Sequence, residues 1–474
     1  MARVVVLGAG LSGLASAALL AQAGHSVTVL ERNSWVGGKS RRIVVAGQRM
    51  DTGPALVTYP EVISRFFATF DSLGTVKASQ VVDLQFEKLP EIGRYYLRDE
   101  VTDLPVKPGH PWHAAWERFA TRHDRLTPAI TRLLTLHPAS LKTLAPVFQI
   151  ASTYGSRLTT ERYVSALGWM PEGLREVIAI HTLNAGISPK RSLAIYASMT
   201  ASMASQGMSV PVGGVNEIAQ SLAKLAEAAG AKVLLNQKAK RVSKGLVETE
   251  TDRYEFDHLV SSVDPQVLKQ LMRPESQPAQ PGLSSCSGVA IYAVLKQDLP
   301  SDIVTHSVVM PDDSGQLFDA IEAKRVPEQT MTFVNYYRAG HIYPNSKPTV
   351  AVLLTAPADG QDHGIDSPWV RAELDRVSQK LGLEQPIDSL FEDYQLLNPK
   401  YFSVYGATDG ALYGATKPLW QSGPFHVPAH HNPLRPWLWR VGASVHPGGG
   451  IPAVLGSAQI TTSRLLKRLG TGGR

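Results

Sequence analysis

Gly8-Ala9-Gly10-Leu11-Ser12-Gly13 spells G-x-G-x-x-G, and an acidic residue, Glu31, closes the next apolar run. That pattern suits the chemistry of an adenine dinucleotide. Gly8 permits a tight turn, Gly10 lets a pyrophosphate approach the backbone, and Gly13 allows a helix to pack closely on a strand. The helix that starts there offers free N–H groups and a partial positive charge to phosphate. Glu31 is placed to accept hydrogen bonds from ribose hydroxyls. Its charge repels a 2′-phosphate, so FAD or NAD fits better than NADP.

The residues that follow separate those two. Glu31-Arg32 leads into Val36-Gly37-Gly38-Lys39, then Arg41-Arg42, then Asp51-Thr52-Gly53-Pro54. Paired glycines let backbone pass close to a ligand. Arg32, Lys39, Arg41 and Arg42 suit a pyrophosphate or a reduced, anionic flavin. Near the end of the chain, Gly442-Ala443-Ser444-Val445-His446-Pro447-Gly448-Gly449-Gly450-Ile451-Pro452 opens a helical stretch. A helix N-terminus stabilises a nearby anion by roughly 0.3–1 kcal/mol. Gly442, Gly449 and Ile451 are therefore expected against the pyrimidine side of an isoalloxazine, whose negative charge grows on reduction. His446 reads as a loop-orienting residue in preference to a proton carrier. The expected cofactor is FAD.

These residues need elements to hold them. Ala2–Leu7 reads as a strand, Ser12–Ala23 as a helix closed by Gly24, and Ser26–Leu30 as a second strand, a βαβ unit. Val215–Ala229 reads as a helix introduced by Gly213-Gly214. Strand positions follow it at Lys232–Leu235 and at Val242, which joins the expected cofactor-contacting set. Leu259–Ser262, Gly288–Leu295, Met331–Tyr337 and Thr349–Thr355 read as strands, and Pro368–Leu381 as an amphipathic helix. Trp437–Leu466 reads as strand, glycine turn and helix. The order implies an α/β fold: a Rossmann-type FAD-binding domain with an inserted mixed β-sheet and a helical substrate domain. The nucleotide domain is expected to be discontinuous, at 1–80, 205–275 and 430–474. A mainly helical, membrane-facing insertion is expected at 81–204 and a β-rich one at 276–429.

Composition sets limits. The chain has 474 residues, 43% hydrophobic and 19% charged, enough for more than one core. A single cysteine, Cys286, excludes an internal disulfide and any cysteine-rich zinc site. No metal centre is expected. The formal net charge is +6. No zinc-finger or aromatic-glycine RNA-binding pattern accompanies it, so nucleic acid is not an expected partner. No run reaches the ~18 apolar residues that span a bilayer. Spaced glycines interrupt the N-terminal apolar run, which argues against a signal peptide. A cytoplasmic, peripherally membrane-associated protein is expected. The membrane expectation rests on Arg118–Arg162, where Arg118, Arg122, Arg125, Arg132, Lys142, Arg157 and Arg162 outnumber Asp124 and Glu161 and leucines are interleaved.

Taken together, the dinucleotide turn with Glu31-Arg32, Gly37-Gly38-Lys39, Asp51-Thr52-Gly53-Pro54 and Gly442–Pro452 resemble the phytoene-desaturase-type carotenoid desaturases. Pro211-Val212-Gly213-Gly214 and Ser261-Ser262-Val263-Asp264-Pro265 are weaker echoes, as are His306–Asp313 and Thr355-Ala356-Pro357. Ser205–Val210 departs from the family's aromatic, glycine-rich approach to the Pro211 turn. The resemblance implies desaturation of an acyclic carotenoid by hydride transfer to flavin, with oxygen or a quinone as electron acceptor. The substrate it implies is phytoene or a later carotenoid, such as a hydroxylated one undergoing 3,4-desaturation. The cofactor carries such chemistry, so no Ser-His-Asp set or metal cluster is needed. His306, Asp312 and Asp313 are candidate bases, and nothing in the sequence selects among them. Two other readings stay open: an amine- or porphyrinogen-oxidase-type flavin enzyme, and a lipid-binding chaperone on the same fold.

Overall fold

The protein is described from a computed structural model over residues 1–53, 55–273, 284–404, 408–414, 416, 421 and 426–471. Pro54 and the stretches 274–283 and 472–474 of the expected domain ranges lie outside the described residues.

The strands, in chain order, are β1 (Arg3–Leu7), β2 (Ser26–Leu30), β3 (Arg42–Val45), β4 (Gln48–Asp51), β5 (Phe86–Leu89), β6 (Gly93–Leu97) and β7 (Glu100–Leu104). Then come β8 (Met208–Pro211), β9 (Lys232–Leu234), β10 (Ala239–Ser243), β11 (Leu246–Thr249), β12 (Arg253–Glu255) and β13 (His258–Ser261). The series ends with β14 (Ser287–Leu295), β15 (His306–Val309), β16 (Thr332–Tyr337), β17 (Thr349–Ala356), β18 (Phe391–Leu397) and β19 (Leu438–Arg440).

Five of them form a parallel sheet in the order β19-β13-β1-β2-β9. Val4, Val5, Val6 and Leu7 are all buried, as expected of a parallel strand covered on both faces. The helix Leu11–Gln22 is buried along its whole length. Its alanines keep it thin enough to lie between this sheet and the helices Asn216–Ala228 and Ile451–Leu469. The sheet draws its strands from 3–30, 232–261 and 438–440.

A second sheet has seven strands, in the order β18-β14-β17-β16-β15-β6-β7. It is mixed: β15 runs parallel to β6 and antiparallel to β16. Here the expected boundary between a helical and a β-rich insertion needs correction. β6 and β7 come from the supposedly helical stretch 81–204 and complete the sheet of the later one. Gly93–Leu104 was hard to read because Arg94, Arg98, Asp99, Glu100 and Asp103 mask its alternation. Those charges are used in pairing: Arg94 meets Asp103 at 2.8 Å across the two strands. From His113 to Gln206 the chain is helical, as expected.

Candidate active site

The glycine turn takes the form its spacing implied. Gly8 has φ +96°, and an added Cβ would stand 2.7 Å from Ser262 Oγ. A Cβ on Gly13 would overlap the Gly8 carbonyl oxygen. Gly10, the residue before the buried helix, differs: a Cβ there would meet nothing within 4 Å. Gly8 and Gly13 are thus required by the protein's own packing. Gly10 faces open space at a helix N-terminus, as a seat for phosphate needs. Gly38, with φ +63°, lies against it, its own Cβ position 3.3 Å from Gly10 Cα.

Glu31 is buried at the end of β2. Its Oε2 accepts from the Ala9 N–H at 2.8 Å, and its Oε1 accepts from Asn33 N at 2.9 Å and Nδ2 at 2.7 Å. The carboxylate is held rigidly and still has lone pairs for ribose hydroxyls. Arg32 lines the same cavity and donates to the Val404 carbonyl at 2.7 Å. The Lys39 side chain stands inside the cavity and donates to the Leu412 carbonyl. A water molecule can reach it, yet protein surrounds it. That desolvation pulls its ammonium below the ordinary lysine range, while Asp264 opposes the shift. Gly442, Gly449 and Ile451 line the cavity at the start of the helix Ile451–Leu469.

Two expectations are corrected. Arg42 does not stand at the cavity. It bridges Asp51 at 2.9 Å and Glu217 at 2.9 Å and donates to the Gly213 carbonyl. It therefore clamps the β3–β4 hairpin to the Gly213-Gly214 turn. Arg41 is the cavity residue, its guanidinium 4.5 Å from the centre of the Trp35 ring. Val242 is likewise turned away. It packs with Val5, Leu7 and Leu30 in the core, whereas Ala239 on the same strand lines the cavity. The sequence placed the strand correctly and chose the wrong face of it.

His446 donates from its Nε2 to the Leu133 carbonyl at 3.3 Å, and desolvation pulls its pKa down to about 4. The carbonyl is an acceptor, so Nε2 carries the proton and the ring ties the glycine loop to the helix Thr127–Thr135. Of the three candidate bases, only His306 lines the cavity. Asp312 pairs with Gln329 at the exposed surface, and Asp313 caps the helix Ser314–Glu322 through Gln316 N at 3.0 Å.

The cavity itself has a volume of about 1910 Å³. Pockets for one small ligand run to ~1,000 Å³, so this one has room for a dinucleotide and a second long molecule. Its floor is one face of the seven-stranded sheet. Tyr95, Val308, Phe333, Leu353, Ala290 and Leu397 stand in register across six strands, and all line the cavity. Tyr413, which packs where a Cβ on Gly449 would fall, joins the floor to the helix start. Sequence reading missed this row. Strand pairing had to be known to see it.

A model of the family described as flavin containing amine oxidoreductase matches residues 11–391. The chain belongs to that family. It is an FAD-dependent oxidoreductase, and the resemblance drawn from its motifs extends along nearly all of it. A zeta-carotene-forming phytoene desaturase of Myxococcus xanthus is 27% identical over 98% of this chain and 94% of that protein. A 4,4'-diapophytoene desaturase (4,4'-diaponeurosporene-forming) of Staphylococcus haemolyticus is 27% identical over 99% of both. Among solved structures, wild-type putrescine oxidase bound to putrescine superposes with a TM-score of 0.66 at 16% identity, covering 98% of this chain and 99% of that one. That likeness concerns the fold. The residues around Gly10, Glu31 and Gly449 fit FAD: an open helix start for the pyrophosphate, a fixed carboxylate for the ribose, and a second helix start for the flavin ring.

Proposed function

We infer that this flavoenzyme desaturates a long acyclic carotenoid, phytoene itself or a later, hydroxylated one. The observation that carries the reading is the cavity, floored by an apolar row across six strands and continuous with the residues around Gly10, Glu31 and Gly449. The bound flavin supplies the hydride acceptor. The substrate loses a hydride and a proton from adjacent carbons, a C=C bond forms, and oxygen or a membrane quinone takes the two electrons. The protein's part is to exclude water and align the chain. The row from Tyr95 to Leu397 does both, since it offers contact area and no competing nucleophile. The names of the two desaturase relatives support this substrate class.

The cavity mouth supports a membrane source for the substrate. Leu144 and Val147, on the helix Leu144–Tyr154, both line the cavity and face solvent. Leu141 and Phe148 beside them are 82% and 77% exposed, and Leu158 is 61% exposed. Arg122, Arg125, Lys142 and Arg157 surround them and are exposed. No helix of the described residues is long and apolar enough to cross a membrane. An apolar lip ringed by cations fits one leaflet of an anionic bilayer. Co-sedimentation with anionic liposomes should weaken with salt, and Leu144→Ser with Phe148→Ser should weaken it at every salt concentration. Equal, negligible sedimentation with neutral and anionic vesicles would remove the membrane from the reading.

The reaction is tested with FAD-loaded protein, liposomes and a quinone or oxygen. Conversion of colourless phytoene should create visible absorbance, and a later step should shift an existing band to longer wavelength. Oxidation of an amine, with no change in any acyclic carotenoid, would replace this reading by an amine oxidase.

A further inference from the structure

The cavity floor is apolar in the row just described and polar in the next. His306 on β15 faces Asn335 on β16, and the two hydrogen-bond at 2.5 Å between Nδ1 and Oδ1. Both side chains are buried, with 3% exposure each, and both line the cavity. His306 Nε2 has no hydrogen-bond partner. Among the described residues Asn335 makes that one side-chain bond. Beside them, Tyr95 bonds His181 at 2.8 Å through its hydroxyl, and Asn184 bonds the other nitrogen of His181 at 3.2 Å. That second histidine is fully satisfied. His306 is not: its Nε2 is buried and unpartnered on a residue that lines the cavity, beside the Asn335 amide.

We propose that the His306–Asn335 pair is a recognition station for a hydroxyl at one end of the substrate, and that it sets which bond of the chain stands at the flavin. The argument has three parts.

The first is hydrogen-bond complementarity. If His306 donates from Nδ1 to Asn335 Oδ1, the pair is left with an acceptor, Nε2, and a donor, the Asn335 Nδ2. If the amide is turned over, Nδ1 accepts, Nε2 becomes the donor and the Asn335 oxygen the acceptor. Either arrangement leaves one donor and one acceptor. An alcohol, which both donates and accepts, satisfies them together. An ether or ketone satisfies only the donor, and a hydrocarbon neither.

The second is position. From β15 the sheet passes through β16 and β17 before reaching β14, where the Tyr292 hydroxyl accepts from Gly53 N at 3.4 Å beside the FAD seat. Three strand spacings are about 14 Å. Hydride and proton leave adjacent carbons, so a proton acceptor must stand near the flavin. His306 is too far across the sheet for that role and well placed to hold the chain's end.

The third is register. Hydrophobic burial is non-directional, so an apolar tube holds a uniform polyene equally well at many offsets. A single polar station fixes one of them.

This proposal rests on the carotenoid reading above, and its test separates the two. Dissociation constants of two polyenes of equal length, one ending in an aliphatic alcohol and one a hydrocarbon, are measured on the FAD-loaded protein by quenching of its tryptophan fluorescence. The alcohol should bind about tenfold more tightly. His306→Leu and Asn335→Leu should each bring that ratio close to one, and His306→Gln, which keeps a donor and an acceptor, should retain part of it. Flavin absorbance of each variant verifies that it is folded. Equal binding of the two polyenes, or a preference that survives both leucine variants, would overturn the station. Selective binding of the alcohol without turnover of either polyene would support the station and overturn the desaturase reading.

Discussion

The FAD seat and the substrate floor are built from the same chain in opposite ways. Gly8, Gly10 and Gly13 lie within one turn, and Glu31 reaches back to Ala9 of that turn at 2.8 Å. The floor row runs from Tyr95 to Leu397 and takes one residue from each of six strands. A charged pyrophosphate needs backbone N–H groups at close range, which forces glycine at fixed spacing. An apolar chain needs only a surface of suitable shape, and many residues at many positions can supply that. The seat is therefore local and specific in type, while the floor is non-local and permissive.

The sharpest way to break this comparison is at Gly10. Its missing Cβ leaves room that no protein atom uses. Gly10→Val should therefore abolish FAD binding and leave the melting temperature of the apoprotein within a degree or two. Gly13→Val, whose side chain would strike the Gly8 carbonyl, should instead prevent folding. Flavin absorbance and thermal denaturation read the two outcomes. Full flavin loading of Gly10→Val would move the pyrophosphate elsewhere.

Next comes Arg42, which the sequence offered to a pyrophosphate or a reduced flavin and the structure assigns to a clamp. The Asp51 side chain it holds is 1% exposed. Removing one member of such a pair leaves an uncompensated buried charge, a cost of about 3–5 kcal/mol. Arg42→Met should lower stability by that amount in chemical denaturation, with FAD affinity changed less than threefold. A large loss of affinity at unchanged stability would return Arg42 to the cofactor.

These cases show where the sequence was legible. The βαβ unit and the second glycine helix start could be read because each is announced by residues close together. Arg42 could not be told from Arg41, since both follow the paired glycines and only strand alternation separates the side that meets Asp51 from the side that meets Trp35. Val242 and Ala239 differ in the same way, with a register irregularity between Ala239 and Arg241 making the face harder to count. His306 was visible as a candidate but without Asn335, because β15 and β16 are joined by a helix and pair only in the folded sheet. The strands β6 and β7 were hidden by their charges, of which Arg94 and Asp103 pair across the two strands.

A smaller effect concerns the helical cap over the floor. His123 is buried there, bonded to Ser198 at 2.7 Å and Tyr163 at 2.8 Å, and desolvation lowers its pKa from 6.5 to about 3. The unfolded chain binds a proton at His123 below pH 6.5, and the folded chain does not until near pH 3. Stability from this group is thus complete above pH 6.5 and declines as pH falls toward 3, by about 2 kcal/mol at pH 5. His123→Gln should make the acid-side decline in melting temperature shallower than in the unaltered protein. Parallel declines would mean that His123 takes up its proton in the folded state.

The smallest expected effect is also the cleanest check on the candidate bases. Asp313 stands at the N-terminus of the helix Ser314–Glu322 and accepts from Gln316 N at 3.0 Å, on the surface and off the cavity. An N-cap of this kind contributes about 1 kcal/mol. Asp313→Ala should cost that much stability, and Asp313→Asn, which still caps, should cost only a few tenths. Neither should alter carotenoid turnover by more than twofold below the melting transition, because no reacting atom comes near. Loss of turnover in Asp313→Asn at full stability would make the carboxylate chemically necessary. The proton would then have to leave the substrate near Asp313, outside the cavity that Gly10, Glu31 and Gly449 line.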